Sequence, residues 1–293
     1  MANRNKKQPI LHISESRRVF KALFKRKIAV ISAAVILLTI ICAVFAKWVA
    51  PYDPYTMDLT NIKAVPSWEH LLGTDALGRD VLSRIIYGSQ SALVVAIVSV
   101  LIAAISGIIL GLLAGYFTKV VGVIIMRFVD TLQSIPMTVL ALAIAGLSGG
   151  GLVNIVIAIG VSLTSLYARV MRGQVLKVKQ SDYILAEKMH GAGNFRIMFL
   201  HILPNCIPVL IVTITMQMGS AILMEAGLSF LGIGITPPTP SWGSMVQDGA
   251  AVLTTRPLLT IAPGIAIFIL VYAFNTFGDA LRDALDPRIR NRK

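Results

Sequence analysis

Ile28 to Ala46 reads IAVISAAVILLTIICAVFA, 19 consecutive positions without a charge. At about 1.5 Å per residue, a helix of that length covers about 28 Å, close to the ~30 Å hydrocarbon core of a bilayer. The run exceeds the roughly 7–15 residues of a cleavable signal core, and no A-x-A site precedes Lys47. It is therefore expected to be an uncleaved membrane anchor.

Five further apolar segments follow at about 92–117, 120–147, 152–170, 206–235 and 258–277. The expected fold class is an all-α membrane protein with six transmembrane helices and both termini on one side. Composition agrees: 56% of residues are apolar and 14% charged, and mean hydropathy is +0.77. A soluble domain is about 45–50% apolar and about 25% charged, so a soluble enzyme or a disordered chain is excluded. A net charge of +13 would suggest nucleic acid only if the charges shared one exposed face. They are scattered between apolar runs, so no nucleic-acid partner is expected. Cys42 and Cys206 lie far apart and support neither a disulfide framework nor a zinc site.

The positive-inside rule assigns the sides. Cytoplasmic termini place 22 of the 27 Lys and Arg residues inside, leaving Lys47, Lys63, Arg79, Arg84 and Arg256 outside. Trp48, Trp68 and Trp242 also fall in outer segments, where indoles favour the headgroup layer. The expected organisation is a cytoplasmic basic tail over 1–27, a first span over 28–46, and an extracytoplasmic segment over 47–91. A five-helix core over 92–277 follows, with a cytoplasmic loop at 171–205, and then a cytoplasmic tail over 278–293. In the outer segment, Thr74 or Asp75 is read as the N-cap of an amphipathic interfacial helix. Leu77, Val81, Leu82, Ile85 and Ile86 line one face of it, and Arg79, Asp80 and Arg84 the other.

Within the spans, Gly107, Gly111 and Gly115 form overlapping G-x-x-x-G units, which let two backbones approach closely in lipid. Pro136 and Pro263 are expected to kink the third and sixth helices. Gly146 to Gly150 matches G-x-S-x-G, and its first four residues fit the G-x-S-G of rhomboid-type proteases. No histidine lies in a predicted span to activate Ser148. A glycine-rich turn is the plainer reading. No G-x-x-x-x-G-K-[ST] loop is present, and no carboxylate–histidine cluster has metal-ligand spacing. Arg127 and Asp130, three apart on one helix, suggest an internal ion pair. Glu225 lies deeper and is expected to face protein or water, with a structural hydrogen bond and a pathway role both open.

The longest inner connection carries Tyr183-Ile184-Leu185-Ala186-Glu187-Lys188-Met189-His190-Gly191, then Phe195 to Ile202, then Leu203-Pro204. Two short helices are expected around a glycine break, with the proline closing the second. Such a protrusion suits docking in a groove of another protein.

This loop resembles the coupling loop of binding-protein-dependent ABC importer permeases, E-A-A, three residues, G, nine residues, I-x-L-P. Ala186, Gly191, Leu203 and Pro204 fall in register. Leu185 stands where the family has Glu, Glu187 where it has the second Ala, and His201 where it has Ile. Other blocks look like the dipeptide/oligopeptide/nickel permease class: Ala50 to Pro54, His70 to Asp75, Gly78 to Arg84, Leu228 to Gly232, Pro237 to Gly243, and Gly278 to Pro287. The early outer segment and the C-terminal block are similar to the C-type member of the paired permeases.

The resemblance implies a type I ABC importer permease fold, one extra N-terminal helix plus a five-helix core, in a bacterial inner membrane. It implies a homologous permease partner, two ABC ATPase subunits and an extracytoplasmic substrate-binding protein. ATP and magnesium would be bound by the ATPases; this chain would carry no cofactor or metal and no catalytic residue. The expected function is import of short peptides, with nickel or a metal chelate as the alternative cargo. A self-sufficient secondary carrier is the alternative of another class. Tyr183, Ala186, Glu187, Gly191, Leu203 and Pro204 would form the coupling surface. Gln133, Ser134, Met137, Met216, Gln217, Met218 and Glu225 are candidates for the pathway, the methionines for their adaptable surface.

Overall fold

The computed structural model describes residues 23–285, and these are helical apart from turns and one isolated bridge between Thr74 and Asp80. Most of the basic N-terminal tail and the last residues of the C-terminal tail lie outside the described residues. The helices of eight or more residues are α1 (Lys27–Val44), α2 (Val81–Tyr116), α3 (Val120–Ser134), α4 (Met137–Ser148), α5 (Leu152–Lys179), α6 (Asp182–Met189), α7 (Asn194–Phe230), α8 (Trp242–Ala250) and α9 (Leu258–Leu285). Five of them, α1, α2, α5, α7 and α9, are each long and apolar enough to cross a bilayer.

α3 and α4 pass that test only together, and they meet at 86°. The cause is Pro136, which drives Ile135 to an extended ψ of 129° and so interrupts the helix. The expected kink is therefore a full break. α9 instead runs on through Pro263, and α7 through Pro208.

The three glycines of α2 show which neighbour they admit. A Cβ on Gly107 would stand 2.5 Å from Tyr167 Cβ, on Gly111 2.4 Å from the Ala168 carbonyl oxygen, and on Gly115 2.6 Å from Val175 Cβ. Both series climb together, so α2 and α5 run parallel, backbone against backbone. Ser106 and Thr164 hydroxyls meet across the same seam at 2.9 Å. Because α2 and α5 are parallel, the bent α3–α4 pair must carry the chain back across the bundle. That makes six crossings.

α9 is antiparallel to both α7 and α1. Gly278 lies against Met216 and Gly219 against Asn275, while Ser32 bonds Thr276 and Arg26 pairs with Asp283. The two ends of the described chain consequently emerge at the same end of the bundle as α6. Much of α1 faces outward, with Ile28, Ile31, Leu37 and Leu38 exposed, as a helix bathed in lipid requires.

Two sequence expectations are corrected at the opposite end. No separate interfacial helix begins at Thr74 or Asp75. Asp80 is the N-cap, its carboxylate accepting from the Ser83 amide at 2.8 Å and the Ser83 hydroxyl at 2.7 Å, and the helix from Val81 continues into the span. At about 54 Å, α2 overshoots the hydrocarbon by several turns. The second correction concerns Arg79, Asp80 and Arg84. They do not form an outward face; all three are buried. Gly78, at φ +74°, makes the preceding turn, and a Cβ there would stand 1.8 Å from the Asp58 carbonyl oxygen.

Candidate functional site

The α6 end carries the segment whose sequence resembles a coupling loop. α6 is short, eight residues, and is held by one apolar pin. Ile184 is fully buried in a cluster with Leu112, Met171, Val175, Ile197 and Ile202. Several α6 residues are open: Tyr183 is 44% exposed, Leu185 59% and Met189 82%, and Ala186 is exposed beside them. An eight-residue helix cannot be stable by propensity alone, so its packing holds it in place.

Gly191 terminates α6 at φ +78°. Its amide bonds the Lys188 carbonyl at 3.0 Å, and the Ala192 amide bonds the Glu187 carbonyl at 3.1 Å. These are the paired bonds of a Schellman cap, which requires a left-handed residue at this point. The chain then turns into α7, and here an expectation is corrected. No second short helix ends at Pro204. Asn194 to Phe230 is a single helix widened to π geometry over Ile197–Ile202. Leu203 and Pro204 sit just beyond the widened turn. A proline lacks an N–H and crowds the carbonyl four residues back, and the π register change precedes it directly. The loop and the fifth crossing are thus one continuous rod.

Glu187 and His201, two departures from the family pattern, face each other. Glu187 Oε2 stands 3.8 Å from His201 Nε2. A charge at 187 replaces the usual small residue, and the opposed imidazole takes the place of an aliphatic side chain. Asp130 likewise does not pair with Arg127. It accepts from Arg169 at 2.7 Å and joins α3 to α5, because the neighbouring helix brings its cation into the same reach.

The residues proposed for the pathway disperse. Gln133, Ser134 and Met137 are exposed around the α3–α4 break. Met216 lines a cavity of about 730 Å³ near the α6 end, between α5, α7 and α9, together with Arg169, Lys177, Val212 and Arg282. Met218 packs against the core and Gln217 is half-buried. Glu225 is 2% exposed and accepts from Ser229 at 2.7 Å and Ser241 at 2.8 Å, tying α7 to the start of α8. Its carboxylate is enclosed within this chain. Ser148 ends α4 with its hydroxyl donating to the Ile144 carbonyl, ahead of three left-handed glycines. It is a turn residue.

Sequence reasoning missed a buried ionic knot at the far end. Asp75 Oδ2 accepts from Arg79 Nε at 2.7 Å and lies 3.4 Å from Arg84 Nε. Asp80 Oδ1 bonds His70 Nδ1 at 2.9 Å, and Arg84 reaches the Pro54 carbonyl at 3.3 Å. The knot folds the 50–80 segment onto the start of α2. Beside it, burial pushes the Asp248 carboxyl above its ordinary pKa, against the pull of Arg84 and Arg79. The i, i+4 spacing of Asp75 and Arg79 was the available signal for that pair. No group of three or more His, Cys, Asp or Glu side chains among the described residues is arranged to hold a metal.

Comparison with known proteins follows the same architecture. Residues 107–291 match the model of the binding-protein-dependent transport system inner membrane component. Residues 14–66 match the N-terminal transmembrane domain of oligopeptide transport permease C. The chain is 44% identical over 261 residues to the di/tripeptide transport system permease protein DppC of Pseudomonas aeruginosa, covering 87% of this chain and 86% of that protein. It is 39% identical over 276 residues to the glutathione transport system permease protein GsiD of Pectobacterium atrosepticum, covering 94% and 92%. To its Escherichia coli O157:H7 namesake it is 40% identical, covering 91% and 89%. With matches running through the bundle, the α6 segment and the early outer segment, the chain belongs to the family of binding-protein-dependent transport system inner membrane components.

Proposed function

We propose that this chain is one permease subunit of an ATP-driven importer of short peptides in a bacterial inner membrane. It pairs with a homologous permease and docks on two cytoplasmic ATPases, which bind the ATP and magnesium. It receives cargo from an extracytoplasmic binding protein. The chain itself performs no bond chemistry. Both termini and α6 lie on the cytoplasmic side, the orientation favoured by the charge distribution.

The observation that carries the cargo class is the 44% identity, over 87% of this chain, to a di/tripeptide permease. The glutathione permeases support it, since glutathione is itself a tripeptide. The exposed Tyr183, Leu185 and Met189 on α6 offer the ATPase an apolar ridge on a rigid, capped helix. Motion of those side chains reaches the fifth crossing through the capped Gly191 turn, beyond which Asn194 to Phe230 is one continuous helix.

The test is uptake of labelled trialanine into vesicles containing this chain with its permease, ATPase and binding-protein partners. ATP-dependent accumulation that needs all four components is the expected result. Accumulation driven by an ion gradient without the ATPases would overturn it, and a complex that ignores trialanine would overturn the cargo class.

A further inference from the structure

Tyr116 is the last residue of α2, where the final helical carbonyls have no partner within the helix. Four separate segments converge on it. Its own backbone ends the second crossing, and Lys179 Nζ, at the end of α5, donates to its carbonyl oxygen at 2.6 Å. The Lys179 ammonium also stands 5.2 Å from the ring centroid, and that of Lys188, in the last turn of α6, stands 5.7 Å from it. The phenol hydroxyl donates to Asn194 Oδ1 at 2.7 Å, at the first residue of α7. Phe117 packs edge-on at 5.0 Å. The side chain is buried in the same cluster that holds Ile184.

This arrangement does more than close a helix end. Lys188 lies on the docking helix, and Asn194 lies beyond the Gly191 turn at the head of the rod that becomes the fifth crossing. A lysine alone would satisfy the orphan carbonyl. The hydroxyl–amide bond adds nothing to capping, and joins instead the end of α2 to the start of α7. The ring does the same for α5 and α6, because the Lys179 and Lys188 ammonium groups both lie over it.

We propose that Tyr116 is a positioning residue that divides displacement of α6 among the second, fourth and fifth crossings, so that they tilt together when the ATPases close. The proposal rests on the importer reading above. Tyr116→Phe deletes only the bond to Asn194 and keeps the ring; Tyr116→Leu deletes both. Loss of one hydrogen bond that is made differently in two states shifts their ratio about fivefold.

The experiment uses the complete transporter in lipid vesicles and reads trialanine taken up per ATP hydrolysed, with ATPase co-purification and thermal midpoint as controls. Tyr116→Phe is expected to assemble and melt like the unsubstituted complex while uptake per ATP falls about fivefold, and Tyr116→Leu to fall further. A purely structural role would lower assembly or melting and leave that ratio unchanged.

A second readout does not depend on cargo. Met216→Cys, with Cys42 and Cys206 replaced by alanine, is labelled by an impermeant maleimide from the cytoplasmic side with and without ATP and vanadate. ATP-dependent protection should weaken in Tyr116→Phe. Failure of the unsubstituted complex to take up trialanine, with protection intact, defeats the cargo class, and the protection measurement then decides the role of Tyr116. Unaltered uptake per ATP, or unaltered protection, in an assembled Tyr116→Phe complex overturns the proposal.

Discussion

Replacing Gly191 tests whether the α6 turn depends on backbone conformation or on room. Its φ of +78° lies in the left-handed region, and no atom stands within 4 Å of the place a Cβ would take. Crowding therefore contributes nothing, and strain alone sets the cost. An L residue in that region costs about 1–2 kcal/mol, less for Asn, whose side chain tolerates it, and more for a β-branched residue. A penalty of about 1–2 kcal/mol reduces the fraction of correctly closed loops by a factor of about 5–30 relative to opened ones. Gly191→Asn should be mildest, Gly191→Ala and Gly191→Trp intermediate and similar, and Gly191→Val worst. The assay is initial ATP-dependent uptake in vesicles, with co-purification of the ATPases measured in parallel. Assembly should persist while uptake declines, because Ile184 still anchors α6. Wild-type uptake in Gly191→Val, or an order that follows side-chain volume, refutes the reasoning.

Gly111→Leu should destabilise the bundle by about 3 kcal/mol or more, since even a Cβ meets the Ala168 carbonyl at 2.4 Å; detergent melting curves would show a large drop. Asp80→Ala removes the cap of α2 and the partner of His70, and should cost about 2 kcal/mol or more, whereas Asp80→Asn, which keeps one accepting oxygen for the Ser83 amide, should recover part of the melting temperature. Tyr167 is fully buried and its hydroxyl has no hydrogen-bond partner among the described residues. Tyr167→Phe is accordingly expected to stabilise the protein by about 1 kcal/mol, and a lower melting temperature would count against the assignment.

The local sequence was enough to find the crossings, for a reason rooted in the solvent. A hydrocarbon slab imposes a length on apolar runs such as Ile28 to Ala46, and that length can be read from neighbouring residues alone. The short helix around Ala186 and its Gly191 cap were likewise visible because both are local objects, whereas the helix expected to close at Pro204 runs on. The partner of Gly107, Gly111 and Gly115 was not visible, because small residues announce a close contact without naming the other helix. Hydropathy also started α2 and α7 too late, at about 92 and 206 where the helices begin at Val81 and Asn194. The added starts mix polar with apolar residues and are fixed by the Asp80 cap in α2 and by the π-widened turn in α7.

Only the tertiary structure decided that Asp130 meets Arg169 rather than Arg127, and that Asp75, Arg79, Asp80 and Arg84 point inward as a knot. It alone placed Glu187 opposite His201 and gathered four segments around Tyr116. Charges and hydroxyls act over a few ångströms, and the groups within that distance come from positions 39, 14 and 78 residues apart for Asp130–Arg169, Glu187–His201 and Tyr116–Asn194. Which of them meet is settled when the helices pack, not when each helix forms.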